Sequence, residues 1–377
     1  MKKKIIIIGS GIAGLSIANF LKSSSNYEFI IYERRNSISL DEGYGIQLSV
    51  NSISILNKLG FNKVDLKKKY QPSKIDFYSF DENKICDLNL EDFNNYNNKY
   101  TTLKRSVLIQ FLQEKLFSNK VLFGKNLIDI KQINSKIRVR FDDETKDEAD
   151  FLIVSDGVFS ATKSVVEKNK INSKFYGSVA VRAKIDYRQI ASINNNNISL
   201  LMGSNFHIVI YPINQRKDLN LVCIIRQISI TNENPQEILK KTVFKQNNNL
   251  SKLFKGDLSC WPIYTSNEAT KSKFDNIFYI GDAFYTFPPT MAQGASQSIE
   301  GAYELFTLIE GKKNNINNDY FKNRKVRIRQ IILRSKFNYF FFHLSNPLLV
   351  FLRNLFIKIF SKNRFFRKIY LGKIFRK

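Results

Sequence analysis

The chain has 377 residues, 43% of them hydrophobic and 24% charged, which allows two domains or one large one and excludes a collagen, a disulfide scaffold and a wholly disordered chain. It is strongly basic, with 59 lysines and arginines against 33 acids, and the stretch 320–377 holds 16 of those cations and no acid. Three cysteines without a CxxC spacing indicate a reducing compartment and exclude a cysteine-ligated metal site. The two histidines stand far apart in the sequence and near no acidic cluster, so we expect no metal site.

The first 33 residues predict a strand over 4–8, a tight turn, a helix over 13–22 and a second strand over 28–33. Three lysines followed by isoleucines imitate a signal peptide. Glycines interrupt this apolar run, however, and no small-x-small cleavage site follows it, so we do not expect a leader here.

A dinucleotide-binding motif lies between these two strands. Gly9 permits the tight turn, Gly11 lets the backbone approach a pyrophosphate, and Gly14 lets helix and strand pack closely. The helix N-terminus, which begins with Ile12 and Ala13, offers unpaired N–H groups to the phosphates. Glu33, followed by Arg34, ends the second strand where an acid accepts from the ribose hydroxyls.

Four further segments follow in an order that resembles the FAD-dependent aromatic-ring monooxygenases, the para-hydroxybenzoate hydroxylase-like flavoproteins. This family includes salicylate hydroxylase-like and ubiquinone-pathway hydroxylases. The matching segments are EGYGIQLSVN at 42–51, which contains Gln47, RSVLI at 105–109, DGVFSATK at 156–163, and GDAFY at 281–285 running on through Pro288, Pro289 and Gln293-Gly294-Ala295.

The resemblance implies roles for residues in these segments. Arg105 would reach the FAD phosphates, Asp156 would belong to a loop that serves FAD and NAD(P)H, and Asp282 would accept hydrogen bonds from the ribityl chain. Gly294 and Ala295 would lie near the isoalloxazine. The expected cofactor set is therefore Gly9, Gly11, Ile12, Ala13, Gly14, Glu33, Arg34, Gln47, Arg105, Asp156, Asp282, Gly294 and Ala295.

Pro288 and Pro289 form a stiff turn without N–H donors, and we expect this turn to line the flavin face where oxygen reacts. Two residues depart from the family pattern. Lys163 replaces the usual arginine and keeps its charge without the bidentate fork, and Tyr285 replaces a histidine whose role is therefore not inherited. On the helix predicted over 298–308, Glu300 is expected to be a solvated or capping side chain.

The expected fold is α/β: a Rossmann-type FAD-binding domain with an inserted mixed or antiparallel β-sheet substrate domain and a C-terminal helical region. The FAD domain is assigned to 1–73, 100–175 and 270–319, and the substrate domain to 74–99 and 176–269. Strands are predicted in the substrate domain over 75–80, 178–185, 207–212 and 220–226. Arg182, Tyr211 and Trp261 are candidate substrate contacts, although packing or surface roles are the more ordinary interpretation.

The basic region 320–377 predicts helices interrupted at Ser345-Asn346-Pro347, where a new helix can be capped. No stretch is long and uncharged enough to span a bilayer. Two interpretations stay open: helices packed on the FAD domain, or an amphipathic segment at an anionic membrane surface. The expected location is cytoplasmic, with peripheral membrane contact through 320–377 as the alternative, and no nucleic-acid partner is expected.

The resemblance implies a monooxygenase in which NAD(P)H reduces the flavin, O2 adds to it, and a flavin hydroperoxide hydroxylates an aromatic or phenolic substrate. The alternatives are a ubiquinone-pathway polyprenyl-phenol hydroxylase acting on a quinone-type substrate at the membrane, and another flavin oxidoreductase such as an epoxidase or reductase. A non-catalytic FAD-binding, membrane-associated protein is the alternative outside enzymes.

Overall fold

The structure is a computed structural model that describes residues 2–38, 40, 44–116, 120–169, 173–185, 193–216, 218–312 and 314–375. Its strands are β1 (Lys3–Ile8), β2 (Tyr27–Tyr32), β3 (Gly45–Leu48), β4 (Lys69–Tyr70), β5 (Lys74–Ser79), β6 (Lys84–Asn89), β7 (Thr101–Lys104), β8 (Val121–Leu122), β9 (Leu127–Ile133), β10 (Lys136–Phe141), β11 (Lys146–Ala149), β12 (Phe151–Val154), β13 (Lys174–Ile185), β14 (Ile198–Gly203), β15 (Phe206–Pro212), β16 (Leu219–Arg226), β17 (Ser259–Thr265) and β18 (Ile277–Tyr279).

The helices lie mostly between the strands and after the last of them. They are α1 (Ile12–Lys22), α2 (Val50–Lys58), α3 (Arg105–Glu114), α4 (Ala161–Glu167), α5 (Pro235–Leu239), α6 (Gly294–Glu310), α7 (Ile316–Phe342), α8 (Pro347–Phe360), α9 (Arg364–Arg367) and α10 (Lys373–Phe375). Short 3-10 turns over Gly281–Ala283 and Pro289–Met291 lie near the candidate site.

A five-stranded parallel sheet forms the nucleotide-binding half, in the order β18-β12-β1-β2-β8. The isoleucines of β1 are buried because neighbouring strands pair on both edges and helices cover the faces, so the strand is an unbroken apolar run. The strand–helix–strand unit predicted at the N-terminus is confirmed to within a residue at each end. The carboxyl ends of β1, β2 and β12 therefore meet at one edge of the sheet.

A seven-stranded sheet forms the second half, in the order β17-β13-β16-β15-β14-β5-β6. Its pairs are antiparallel except β14 with β5, so the predicted mixed sheet is present. Two smaller antiparallel sheets, β3-β7-β4 and β11-β10-β9, complete the strands. The sequence analysis did not anticipate β9 to β11, whose alternating residues bury only one face.

The segment after residue 320 packs on both halves rather than standing apart. Asn346 caps α8 by accepting from the N–H groups of Leu348 and Leu349, and Pro347 occupies the first turn, as the sequence predicted. Arg324 and Arg327 of α7 reach Glu300 on α6, which is fully buried. The expectation of a solvated Glu300 was therefore wrong. Arg324 and Arg327, which stand 24 and 27 residues later in the sequence, donate to the carboxylate in the interior of the protein.

Candidate functional site

The glycine turn after β1 imposes two steric requirements and leaves one opening. Gly9 has a φ of +98°, and a Cβ there would lie 2.8 Å from the Ser155 carbonyl oxygen. A Cβ on Gly14 would lie 2.0 Å from the carbonyl oxygen of Gly9. A Cβ on Gly11, in contrast, would meet nothing within 4 Å. The first and third glycines are thus required by packing, while the second faces open space.

That open space is a groove along the carboxyl ends of β1, β2 and β12, with a volume of ≈ 220 Å³. Gly9, Gly11, Glu33 and Asp156 line it, together with the cations Arg34, Arg35, Arg105 and Lys125. The first turn of α1 adds its unpaired N–H groups and the positive end of the helix dipole. The groove is therefore suited to a ligand that carries phosphates.

The Glu33 carboxylate is fixed over the glycine turn. One oxygen, Oε2, accepts from the backbone N–H and the hydroxyl of Ser10, both at 2.8 Å, and Oε1 accepts from the N–H of Arg35 at 3.0 Å. Oε1 keeps a further acceptor position, so the group can still receive a ribose hydroxyl.

The loop after β12 links the groove to the aspartate turn. Asp156 accepts from the Ser160 hydroxyl and, at 3.1 Å, from the N–H of Thr162. Buried Lys163 donates from its ammonium group to the carbonyl of Ala283 at 3.1 Å, and burial lowers the pKa of this lysine. In this chain the lysine found where the family pattern has arginine therefore supports the turn that carries Asp282.

The aspartate turn lies directly against the start of α1. Gly281 has a φ of +59°, and a Cβ there would lie 2.8 Å from the Cβ of Ala13. The side chain of Asp282 is reached by solvent but stands in a crevice surrounded by protein atoms. This desolvation raises the pKa of Asp282 to about 6, and the charge of Arg105 opposes the rise. Segments some 270 residues apart in the sequence are thus in contact where the crevice begins.

Helix α6 begins at the same crevice. Gly294 is its first residue and lines the crevice with Asp282, and a Cβ on Gly294 would meet nothing within 4 Å. Ala295, the next residue, is half-buried against the core. The helix predicted over 298–308 therefore begins four residues earlier, at Gly294. The positive end of its dipole faces the crevice.

An apolar cavity of ≈ 80 Å³ lies against the Pro289–Met291 turn. Pro289 lines it, and Pro288 is buried just before it. Gln47 reaches the same wall and accepts from the Tyr100 hydroxyl at 2.7 Å. The remaining lining residues come from three places: Ile75, Phe77, Leu88, Ile198, Leu200, His207 and Val209 of the seven-stranded sheet; Thr290, Met291 and Ala292 of the turn; and Asn338, Phe342, Tyr370, Leu371 and Phe375 of the C-terminal segment.

The C-terminal segment forms part of the wall of this cavity, a role that the sequence did not predict. Arg334 donates to the carbonyls of Ile369 and Tyr370, each at 3.0 Å, and Arg327 donates to the carbonyl of Ile374 at 2.6 Å. These bonds hold the backbone of 369–374 against α7. The basic residues of 320–377 therefore include groups that fix a cavity wall.

Ten of the predicted site residues line the groove, the crevice or the apolar cavity, and Ile12, Ala13, Gly14, Pro288 and Ala295 line none of these three spaces. Six lie in the groove, Asp282 and Gly294 lie in the crevice, and Gln47 and Pro289 lie in the apolar cavity. The candidates Arg182, Tyr211 and Trp261 do not line the cavity: Arg182 stacks on Tyr44, Tyr211 is buried in the core, and Trp261 is half exposed on an edge strand.

The two histidines are in contact, so separation in the sequence was a wrong guide to their positions. His207 Nδ1 and His343 Nε2 are 2.7 Å apart, and both rings are buried. No group of three or more potential metal ligands occurs in the described part of the chain.

Replacing Asp282 by asparagine should stabilise the apoprotein at alkaline pH. The folded-state pKa lies above the ordinary value of 3.8, so the carboxyl's contribution to stability is full below about pH 4 and is lost as the pH rises through about 6. Asparagine does not ionise, so Asp282→Asn should have the higher Tm at pH 8 and lose that advantage by pH 4. Thermal unfolding across this range measures the difference. Exposed Asp275, changed to asparagine, is the control, and parallel curves for all three proteins would contradict the prediction.

The chain is similar in sequence and in fold to known flavoproteins. The family model described as "FAD binding domain" matches residues 2–330. A 3-amino-4-hydroxybenzoate 2-monooxygenase of Streptomyces platensis is 23% identical over 92% of this chain and 90% of its own. Salicylate hydroxylase of Pseudomonas putida is 23% identical over 84% and 78%. The crystal structure of a Klebsiella pneumoniae HpxO variant complexed with FAD shares the fold, with a TM-score of 0.85 at 18% identity over 99% of this chain and 98% of that one.

Proposed function

Because the chain belongs to the FAD binding domain family and is an FAD-dependent monooxygenase that takes electrons from NAD(P)H, we propose that it hydroxylates a small aromatic molecule held in the apolar cavity. The observation that carries the proposal is the Pro289–Met291 turn. The turn itself lines the cavity, and Phe287 and Gly294, which stand two and three residues to either side of it in the chain, line the crevice with Asp282. A ring in the crevice and a substrate in the cavity would thus be neighbours.

The residues present fit FAD. The groove offers a helix N-terminus and four cations for the pyrophosphate, and Glu33 offers an acceptor for the ribose. The Gly281 turn is a close fit against α1 that a Cβ would obstruct, which leaves Asp282 at the crevice for the ribityl hydroxyls. The FAD-binding part is accordingly proposed to be 1–73, 100–175 and 270–319, with 74–99 and 176–269 as the substrate-binding part.

Bound FAD supplies the redox chemistry, taking a hydride from NAD(P)H and activating O2 so that one oxygen atom enters the substrate. The chain's contribution is positioning and electrostatics. The α6 N-terminus at Gly294 places positive potential in the crevice, where negative charge on the cofactor is stabilised. The C-terminal segment adds Tyr370, Leu371 and Phe375 to the cavity wall, where they would reduce the access of water.

Anaerobic reduction followed by product analysis tests the function. Purified holoprotein should be yellow and should bleach when NADH or NADPH is added without oxygen. With oxygen and an aromatic substrate, the product mass should rise by one oxygen atom. A flavin that neither nicotinamide reduces would contradict the proposal and favour a non-catalytic flavoprotein.

We also propose that the protein contacts an anionic membrane surface through α8. One face of this helix exposes Leu348, Phe351, Leu352, Leu355 and Ile359, the first two at 66% and 63% of their maximum exposure. Exposed cations flank that face at Lys358, Lys362, Arg364 and Lys368. An apolar stripe beside cations fits the interface of an anionic bilayer. Within the described ranges no helix combines the length and apolarity needed to cross a bilayer, so this contact would be peripheral.

Vesicle sedimentation tests the membrane contact. Wild-type protein should sediment with vesicles of phosphatidylcholine and phosphatidylserine, less with phosphatidylcholine alone, and less at high salt. The double variant Phe351→Ser/Leu355→Ser should lose at least 10-fold in partitioning, because two large apolar side chains no longer enter the interface. The matched control is Leu66→Ser/Ile228→Ser, two exposed apolar residues outside α8. Equal loss in both variants, or in neither, would overturn the proposal.

A further inference from the structure

Among the residues that the structure describes, the wall of the apolar cavity contains no charged side chain. Its lining consists of aliphatic and aromatic residues with Gln47, Tyr100, His207, Thr290, Asn338 and Tyr370 as the polar members. The two named monooxygenases in the comparison act on hydroxybenzoate and salicylate, both of which carry a carboxylate. An ionised carboxylate moved from water into a site without a cation pays a large desolvation cost. The cavity of this chain therefore disfavours that class of ligand.

Most of the polar wall groups are already bonded to protein. The Tyr100 hydroxyl donates to Gln47, the Tyr370 hydroxyl donates to Asn338 at 2.5 Å, and the Thr290 hydroxyl donates to the Ser335 carbonyl at 2.8 Å. Groups bonded in this way stiffen the wall and contribute little directional attraction to a ligand.

His207 is the exception. Its ring is 1% exposed, and its Nδ1 is bonded to His343 at 2.7 Å, while its Nε2 makes no hydrogen bond to any residue that the structure describes. His343 is held in turn between the rings of Tyr339 and His207. The edge of the Phe342 ring packs on His207. One nitrogen of a buried, immobilised imidazole is therefore available at the cavity wall.

The histidine pair does not supply a positive charge. Burial lowers the pKa of His207 to about 3, and burial, the neighbouring His207 ring and the charge of Arg226 lower the pKa of His343 to about 2. Two neutral imidazoles share one N–H between them, which leaves His207 Nε2 as either a donor or an acceptor. A phenolic oxygen can satisfy both roles, whereas a carboxylate can only accept.

From the uncharged wall and the available Nε2 of His207, we propose that the cavity takes a neutral phenol without a carboxylate, whose oxygen is hydrogen-bonded by His207 and whose recognition depends on His343 holding that ring. This inference rests on the proposed function, since it names the substrate class of the same site. It differs from that function in excluding the aromatic carboxylic acids on which the two named monooxygenases act.

Matched ligand pairs test it on the oxidised FAD-loaded enzyme. The pairs are 3-methylphenol with 3-hydroxybenzoate and 2-methylphenol with salicylate, which differ mainly in methyl against carboxylate. Perturbation of the flavin absorbance gives the dissociation constant without turnover. Each methylphenol should bind at least 10-fold more tightly than its partner at pH 7.5. Tighter binding of the acids, or no binding of either phenol, would overturn the inference. Because binding is measured without reduction, these outcomes are separate from a failure of NAD(P)H to bleach the flavin, which would instead contradict the function.

Two variants locate the recognition at the histidines. His207→Leu should weaken 3-methylphenol binding by about 3- to 10-fold, the equivalent of one neutral hydrogen bond, while His207→Gln, which keeps a donor and an acceptor, should recover most of the affinity. Toluene, which lacks the oxygen, should bind the wild type and His207→Leu equally, so it controls for a general disturbance of the cavity. Equal losses of phenol and toluene would show only a packing role and would reject the assignment to His207.

His343→Leu is the test of the supporting residue. It should weaken phenol binding as His207→Leu does, and the double variant should be no weaker than either single variant, because both act through one hydrogen bond. Additive losses would contradict the dependence on His343.

Discussion

Gly14→Ala should leave the chain unable to bind FAD and destabilise the apoprotein by about 3 kcal/mol or more, at the upper end of overpacking effects. The added Cβ would lie 2.0 Å from the Gly9 carbonyl oxygen and 2.7 Å from the Ser155 hydroxyl. Neither the Gly9 carbonyl nor the Ser155 hydroxyl can move away without breaking hydrogen bonds. Gly9 donates its N–H to Tyr32 at 2.8 Å, and the Ser155 hydroxyl is bonded to the carbonyls of Ile8 and Gly9. Urea unfolding followed by circular dichroism and the flavin content of the purified protein measure both effects.

Gly11→Ala is the matched control in the same turn. Gly11 has a φ of −76°, which alanine adopts without strain, and its Cβ would meet no protein atom within 4 Å. Its apoprotein should unfold within about 0.5 kcal/mol of the wild type, as is usual for unstrained surface substitutions. Flavin retention should still fall, because the methyl group enters the proposed pyrophosphate site. A wild-type urea midpoint for Gly14→Ala would refute the steric argument.

Glu300→Gln should cost about 3–5 kcal/mol of unfolding free energy, the range found when one partner of a buried ion pair is removed. The Glu300 carboxylate accepts from Arg324 at 2.9 Å and from Arg327 at 2.7 and 2.9 Å, both on α7, and from the amide of Asn51 on α2 at 2.5 Å. Glutamine would leave two arginines facing a neutral group. The result would be measured as the shift in chemical unfolding at pH 7, with Glu310→Gln as the control, since Glu310 lies at the surface end of the same helix and bonds only Ser24 and Asn26 in the described residues.

The same variant should remove a pH dependence. Burial alone would raise the pKa of Glu300, but the hydrogen bonds and charges of Arg327 and Arg324 outweigh burial and hold it at about 2, below the ordinary 4.5. Stability from this group is therefore complete above about pH 4.5 and is lost as the pH falls toward 2. The wild-type and Glu300→Gln stabilities should converge over that interval. A constant difference from pH 7 to pH 2.5 would show that the carboxylate charge is not what stabilises the interface.

The parts of the fold that the sequence predicted are those whose determinants are local. The strand, turn and helix from 3 to 22 follow from one apolar run and three glycines, and two of those glycines are required by contacts within the turn and with the neighbouring strand end. The α8 start follows likewise from Asn346 and Pro347. The aspartate turn was found only because its residues match a family pattern, since nothing local to 281–283 specifies contact with Ala13.

The parts that the sequence did not predict depend on partners distant in the chain. The local sequence around Glu300 predicts an exposed side chain on an amphipathic helix. Its burial depends on two arginines of the next helix, with which it forms ion pairs. His207 and His343 are 136 residues apart, and only the docking of α7 on the seven-stranded sheet joins them. Long-range packing overrides local pattern at these positions. The basic composition after residue 320 likewise did not indicate which arginines have a structural role. Arg327 and Arg334 hold the backbone of the cavity wall.

The two histidines have a practical consequence. They are the only histidines in the sequence, and both meet at the cavity. Protein grown with isotope in this amino acid alone would therefore give imidazole resonances from a single location, free of overlap from the rest of a 377-residue chain. A ligand that enters the cavity should change the chemical shifts of these resonances. The two histidines can therefore report binding without an attached probe.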